Sequence, residues 1–314
     1  MIAPSSQPDE VAARIVAVTH SSYQHDAGTG AVTGVGSRAT AGNHPDRVNA
    51  VETEEWARRA SSFGAVAAEY AEHRPAYPAE AARWCVAPLG RDIAGLRVLD
   101  LGAGTGKLTA PLAGLGADVT AVEPDAAMLA ELRRQLPSVR TLSGQAEAIP
   151  LPDASVDAVL CGQALHWFDL TRAIPEIGRV LVGGGVLAAL WNSDDDRVPW
   201  VAGLRDVSEG AASPTLSTRR RDVASFGVDQ FADLFEPITR AEFANSLPRT
   251  AESLVATMAT HSQVLVLPPA ERERLLNGVR DYLAARPETG SGQFELPMVT
   301  TVLRTIRRAR DHGR

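Results

Sequence analysis

Arg97-Val98-Leu99-Asp100-Leu101-Gly102-Ala103-Gly104-Thr105-Gly106 is the stretch from which the fold is read. Val98, Leu99 and Leu101 make a short apolar run, the signature of a buried strand. Gly102, Gly104 and Gly106 follow at once, and Lys107-Leu108-Thr109-Ala110 opens a helical pattern. Strand, glycine turn and helix start form the unit that brings a backbone close to a nucleotide-like ligand. Glycine suits such a turn because a side chain would obstruct that approach and because φ is often positive there. The glycines alternate behind a leading acid, unlike the G-x-G-x-x-G spacing whose helix N-terminus faces a pyrophosphate. A carboxylate repels a pyrophosphate but attracts a cationic ligand.

Further along, Asp118 to Glu123 predicts a second strand ending in an acid. Glu123 lies about twenty residues past the glycine turn, where one carboxylate can accept both hydroxyls of a ribose. Asp125 is placed to cap the next helix, with Met128, Leu129, Leu132 and Leu136 facing inward. Val139 to Ser143 reads as a third strand and Val156 to Cys161 as a fourth. A helix over Leu170 to Leu181, with Ile174 and Ile177 on one face, is predicted to stop at Gly183-Gly184-Gly185. Val186 to Trp191 reads as a fifth strand. The alternation of strands and helices predicts a doubly wound sheet, with ligands outside the carboxyl ends of its strands. An insertion runs from Asn192 to about Pro237. Beyond it, Thr239 to Ser246 is a sixth strand, Glu252 to Thr260 and Pro269 to Ala285 are helices, and Gln293 to Arg304 holds a seventh strand.

Asp100-x-Gly102-x-Gly104-x-Gly106 resembles motif I of the class I S-adenosylmethionine-dependent methyltransferases, whose ligand carries a sulfonium and an ammonium group. Phe63 to Tyr70, Arg74-Pro75-Ala76-Tyr77-Pro78 and Gln163-Ala164-Leu165-His166-Trp167-Phe168-Asp169 resemble one subgroup, which includes the trans-aconitate methyltransferases. The resemblance covers about residues 53 to 308. It implies a Rossmann-like, seven-stranded, mostly parallel sheet with helices on both faces. The last strand is antiparallel and inserted beside the fifth, and helical lid elements lie over the cleft. It implies S-adenosyl-L-methionine as cofactor, held by Asp100, Gly102, Ala103, Gly104, Gly106, Glu123, Pro124, Met128, Gln145, Ala146, Glu147 and Gln163. Met128 lies against the adenine or simply packs in its helix. Relatives commonly carry Asp where Gln145 stands. The Gln145 carbonyl accepts without charge assistance, which weakens the adenine contact or shifts it to Glu147.

The same resemblance implies a substrate pocket of Tyr70, Tyr77, His166 and Trp167. The alternative for both tyrosines is amphipathic packing onto the core. His166, with an ordinary pKa near 6.5, is either a general base or a holder of Asp169 or of the backbone. The reaction is an in-line displacement at the sulfonium methyl. A carboxylate nucleophile needs no base, whereas a phenol, alcohol or protonated amine does. O-methylation of a small carboxylate or hydroxyl compound is favoured. N-methylation, a non-catalytic binding module and a nicotinamide oxidoreductase are the alternatives, and the leading acid speaks against the last.

The chain has 314 residues, 45% of them apolar, with a net charge of −7. That charge speaks against a broad nucleic-acid footprint. No apolar run nears the ~18 residues of a membrane span. No signal peptide is read. Cys85 and Cys161 are too far apart for a metal or disulfide motif, so reduced thiols, a cytoplasmic location and no metal are expected. A small-molecule substrate and a monomer or homodimer complete the expectation. Residues 1–52, rich in Gly, Ser and Thr, read as a disordered extension with solvated His20, His25 and His44, in which Arg14 to Val18 has no partner. Residues 53–314 read as one domain, with the cofactor core at about 78–192 and lid elements at 53–77 and 193–265. Asp194-Asp195-Asp196 reads as a solvated acidic turn, Arg219-Arg220-Arg221 as a surface run and the tail from Arg304 as a fraying end.

Overall fold

The computed structural model describes residues 14–16, 75–210, 228–259, 264 and 267–309. Its strands are β1 (Arg14–Val16), β2 (Arg97–Leu101), β3 (Asp118–Val122), β4 (Arg140–Leu142), β5 (Val156–Gly162), β6 (Leu181–Asp194), β7 (Thr239–Arg249) and β8 (Phe294–Ile306). They form one sheet in the order β1-β7-β8-β6-β5-β2-β3-β4. β2 pairs in parallel with β3 and β5, β3 with β4, and β5 with β6. The last strand, β8, runs antiparallel between β6 and β7, as expected. One expectation is corrected: Arg14–Val16 does have a partner, pairing antiparallel with Arg240 to Glu242 at the sheet edge. The rest of the 1–52 extension, the lid segment before Pro75 and Arg219 to Arg221 lie outside the described residues.

Both faces of the sheet are covered, and the alternation of side chains along each strand decides which residue goes where. On β5, Val159 and Cys161 pack on one face, with Ile174 and Ile177 of the helix Leu170–Val180. Ala158 and Leu160 pack on the other, with Ala81, Cys85 and Leu112. Each Ile or Leu fully buried in this way contributes roughly 1.5–3 kcal/mol. The helices are α1 (Ala79–Val86), α2 (Thr109–Gly114), α3 (Ala126–Gln135), α4 (Leu170–Val180), α5 (Pro199–Gly210), α6 (Ala251–Ala259) and α7 (Pro269–Ala284). Pro111 is tolerated because it falls in the first turn of α2. Asp125 caps α3 as expected, accepting from the N–H groups of Ala127 and Met128 at 2.9 Å each.

Two local expectations fail for physical reasons. α4 does not stop at Gly183-Gly184-Gly185. It ends at Val180, where Leu181 turns extended and enters β6. The glycines form a bulge: Val156 faces Leu181 while Ala158 already faces Val186. Nor is Asp194-Asp195-Asp196 merely a solvated turn. Asp195 pairs with Arg197 at 2.6 Å and Asp196 with Arg205 at 2.7 Å. Past the carboxyl end of β6, helices α5, α6 and α7 bury Trp200, Leu204, Leu254, Val279 and Leu283 against Phe294 at the start of β8. This apolar layer covers the β6–β8–β7 side of the sheet end and leaves the β2–β5 side to the loops.

Candidate functional site

Asp100, the last residue but one of β2, is fully buried. Its Oδ2 accepts the Thr109 hydroxyl at 2.6 Å. Its Oδ1 and the buried Thr105 hydroxyl have no hydrogen-bond partner among the described residues. Burial pushes the Asp100 carboxyl up to about 7, with the Glu123 charge adding to the rise and the Thr109 bond opposing it. An orphaned acceptor at such depth is costly unless a ligand brings a donor to it.

The glycine turn is strapped to β3 by the N–H groups of Gly102 and Ala103, which both donate to the Val122 carbonyl. Its glycines do not all serve a ligand. At Gly102 (φ +71°) a Cβ would stand 2.6 Å from the Cβ of Ala164, and at Gly106 one would meet Leu132 and Leu136 at 3.2 Å. Only at Gly104 is the space open, with the nearest atom, the Met128 sulfur, at 3.8 Å. Of the three, Gly104 alone leaves open space beside the turn, whereas Gly102 and Gly106 make room for the protein's own packing.

Glu123 follows β3 and is 6% exposed. Its Oε2 accepts the N–H of Gly104 and its Oε1 the N–H of Asp125, both at 2.9 Å. Each carboxylate oxygen has two acceptor sites, so one remains on each after these bonds. Two acceptors at carboxylate spacing suit a vicinal diol. Burial raises the Glu123 carboxyl, and the two backbone N–H bonds counter it. Pro124 is exposed beside it, and Met128 lies buried against the turn.

The loop after β4 is held from three sides. Gln145 is exposed, and its carbonyl accepts the Ala148 N–H at 3.2 Å in a tight turn that buries Ala146. Glu147 Oε1 accepts the N–H of Asp169 at 2.8 Å, so part of its acceptor capacity joins this loop to the turn after β5. Glu176 accepts the Ile149 N–H at 3.0 Å, and Arg179 donates to the carbonyls of Ile149 and Leu151. Sequence reasoning missed Glu176 and Arg179; their i,i+3 spacing on a helix was the available signal.

The turn after β5 carries the remaining expected residues. Gln163 has φ +55°, rare for a residue with a side chain, and its Nε2 donates to the Asn192 carbonyl at 2.9 Å. His166 is exposed on the short helix Leu165–Trp167, its ring 5.0 Å from that of Trp167. Asp169 accepts the Thr171 N–H and caps α4. Tyr77 is 6% exposed and packs with the α1 face of the sheet. A Cβ at Gly162 would lie 2.9 Å from its hydroxyl oxygen. Tyr70 lies outside the described residues. No group of metal-ligating side chains occurs among the described residues, and no helix there is long and apolar enough to cross a membrane.

The donors and acceptors match S-adenosylmethionine. Glu123 offers acceptors for the ribose diol, buried Asp100 offers an unused oxygen to a cation, and Gly104 leaves backbone room between them. Residues 99–189 match a family model described as a methyltransferase domain. An uncharacterized methyltransferase of Mycobacterium tuberculosis is 41% identical over 249 residues, covering 77% of this chain and 94% of its own. An uncharacterized methyltransferase-like protein of Schizosaccharomyces pombe is 36% identical over 220 residues, 68% of this chain and 82% of its own. The solved structure of a protein assigned as a type II methyltransferase, from Anaeromyxobacter dehalogenans, superimposes with a TM-score of 0.53 at 28% identity, covering 74% of this chain and 97% of that one. With the alternating glycines at the head of a parallel βαβ unit and both acids seated in its crevice, the chain belongs to the class I S-adenosylmethionine-dependent methyltransferases, and S-adenosylmethionine is its cofactor.

Proposed function

We propose that this methyltransferase methylates an oxygen of a small-molecule acceptor, a carboxylate or a hydroxyl. The observation that carries the reading is the turn after β5, at the carboxyl end of a parallel strand, where His166 stands exposed with its ring 5.0 Å from that of Trp167. A carboxylate arriving there is already ionised and needs no base. A hydroxyl needs one, and His166 is the side chain on this turn that can take its proton. Two likenesses support the reading. The lead-in segment and the Gln163 to Asp169 run resemble the trans-aconitate subgroup. A malonyl-[acyl-carrier protein] O-methyltransferase of Enterobacter lignolyticus is 38% identical over 130 residues, 41% of this chain and 51% of its own.

S-adenosylmethionine, when bound, supplies an electrophilic methyl group on a sulfonium. The rest falls to positioning and to the exclusion of water. Glu123 accepts the ribose hydroxyls, with Pro124 beside it. Gly102, Ala103, Gly104 and Gly106 shape the backbone wall. Met128, Gln145, Ala146 and Glu147 hold the adenine end. Gln163 orients the methionine end and Asp100 answers its positive charge. By the subgroup resemblance Tyr70, Tyr77 and Trp167 are assigned to the acceptor pocket, and the segments 53–77 and 193–265, apart from the sheet strand β7, to its lid. The reading includes a cytoplasmic monomer or homodimer, and the net charge of −7 speaks against a nucleic-acid acceptor.

The test is methyl uptake from methyl-labelled S-adenosylmethionine onto a panel of small carboxylic acids, phenols and amines. Methyl esters or ethers are expected; products methylated only on nitrogen overturn the reading. His166→Ala separates the two acceptor classes. It lowers turnover of a hydroxyl acceptor by about a hundredfold and spares a carboxylate.

A further inference from the structure

Asn192, near the carboxyl end of β6, ties together parts of the chain that no local motif connects. Its Nδ2 donates to the carbonyls of Pro75 and Ala76 at 3.3 and 3.2 Å. Its Oδ1 accepts the Thr300 hydroxyl at 2.5 Å and the Asn245 Nδ2 at 3.2 Å. Its own carbonyl accepts Gln163 Nε2. Carbonyls only accept, so the two on Pro75 and Ala76 fix which end of the Asn192 amide faces them.

The segment held in this way has no helix or strand bonding of its own. Residues 75–77 precede the N-cap Pro78 of α1 outside any regular element, and Pro75 lacks an N–H, so carbonyls are the natural handles. Asn245 adds a second grip, donating to the Ala76 carbonyl at 3.0 Å. The next residue, Tyr77, packs against Gly162, and Gln163 follows in a left-handed conformation. Such a conformation persists only where its surroundings over-determine it. Here the Leu190 carbonyl takes the Gln163 N–H and Asn192 takes its side chain.

We infer that Asn192 is a positioning residue: its amide clamps the Pro75–Tyr77 segment over the exit of β5 and so governs how long the methionine end of the cofactor is retained. The inference rests on the placement of that end beside Gln163 under the proposed function. Asn192→Asp is the sharp variant. It is isosteric and keeps the acceptor for Thr300 and Asn245, but it turns an oxygen toward the carbonyls of Pro75 and Ala76.

The experiment follows release of S-adenosylhomocysteine from the full chain by stopped-flow tryptophan fluorescence, together with the melting temperature and amide exchange over residues 76–80. In Asn192→Asp, two lost hydrogen bonds predict about tenfold faster release at an unchanged association rate. The melting temperature stays within about 2–4 °C, and exchange quickens at 76–80. Unchanged release overturns the inference. So does faster release with a large fall in melting temperature and no local change in exchange, because that is loss of fold. If Asn192→Asp does not fold, Asn245→Ala decides: it removes one grip, so about threefold faster release supports the clamp and unchanged release overturns it. If the unaltered chain binds no S-adenosylhomocysteine, the cofactor placement itself fails and the inference falls with it.

Discussion

The two halves of the sheet's carboxyl end solve the same packing problem with different chemistry. On the β2–β3 side the buried polar groups are carboxylates. Glu123 is held by two backbone N–H groups, and Asp100 by one hydroxyl with an oxygen left over. On the β6–β8 side, apart from the buried Arg249, a part-buried cluster of amides around the buried Thr300 hydroxyl satisfies itself: Gln163, Asn192, Asn245 and Thr300. A buried carboxylate with spare acceptor sites is costly alone and gains when a ligand brings donors. A neutral network of mutually satisfied groups gains little from a ligand and chiefly fixes geometry. One half is built to bind and the other to hold still.

That contrast breaks most readily at Glu123 and Asp100. Glu123→Ala removes a charged acceptor for two hydroxyls, each bond worth roughly 1.5–3 kcal/mol, so affinity for S-adenosylmethionine falls at least about a hundredfold. Calorimetry is expected to detect no binding in this variant or in Asp100→Ala. Near-normal affinity in either removes the division of labour. Thr300→Val on the neutral side is expected to cost far less.

The glycines sharpen the contrast within the binding half. Gly102→Ala forces a Cβ to within 2.6 Å of the Ala164 Cβ at a positive φ. It is expected to lower the melting temperature by roughly 5–10 °C. Gly104→Ala meets only the Met128 sulfur at 3.8 Å. Its melting temperature falls by roughly 2–4 °C while cofactor affinity falls about tenfold or more. The reverse ranking in thermal melts and calorimetry shows that Gly104, too, serves packing.

The pH dependence of Asp100 sharpens the contrast from another direction. Its carboxyl titrates at about 7 in the folded chain against an ordinary value of 3.8. Between those values the folded chain holds a proton that the unfolded chain has lost. This group's contribution to stability therefore declines as pH rises through that window and levels off above about 7. Affinity for the cationic cofactor moves the opposite way, rising as the carboxyl ionises. Urea midpoints and calorimetry between about pH 5 and 8 check both slopes, and Asp100→Asn is expected to flatten them. Slopes unchanged in Asp100→Asn assign the effect to another group.

The legibility of the two halves follows from the range of their bonds. Asp100 bonds Thr109 nine residues on, and Glu123 bonds Gly104 across nineteen. Both bonds lie within one βαβ unit, where sequence spacing is spatial spacing. Asn192 reaches Pro75 across 117 residues and Thr300 across 108. No periodicity or motif marks such a bond. It exists because β8 threads back between β6 and β7, in a register that sets Asn192 opposite Thr300. The same distance effect explains Gly102: its glycine requirement was visible, but its cause, Ala164 on the turn after β5, lies sixty-two residues away.

By itself, the sequence determined the parallel βαβ core and the acids beside its glycine turn, Asp100 in β2 and Glu123 just after β3, since each depends on neighbours along the chain and on the period of apolar residues. Tertiary structure alone decided which glycine faces open space, how β6 carries its glycine bulge, the pairing of Arg14–Val16 with β7, and the amide clamp on Pro75 and Ala76. Those features arise from contacts between segments that meet only once the sheet has closed its order, and side chains that far apart leave no mark on local pattern.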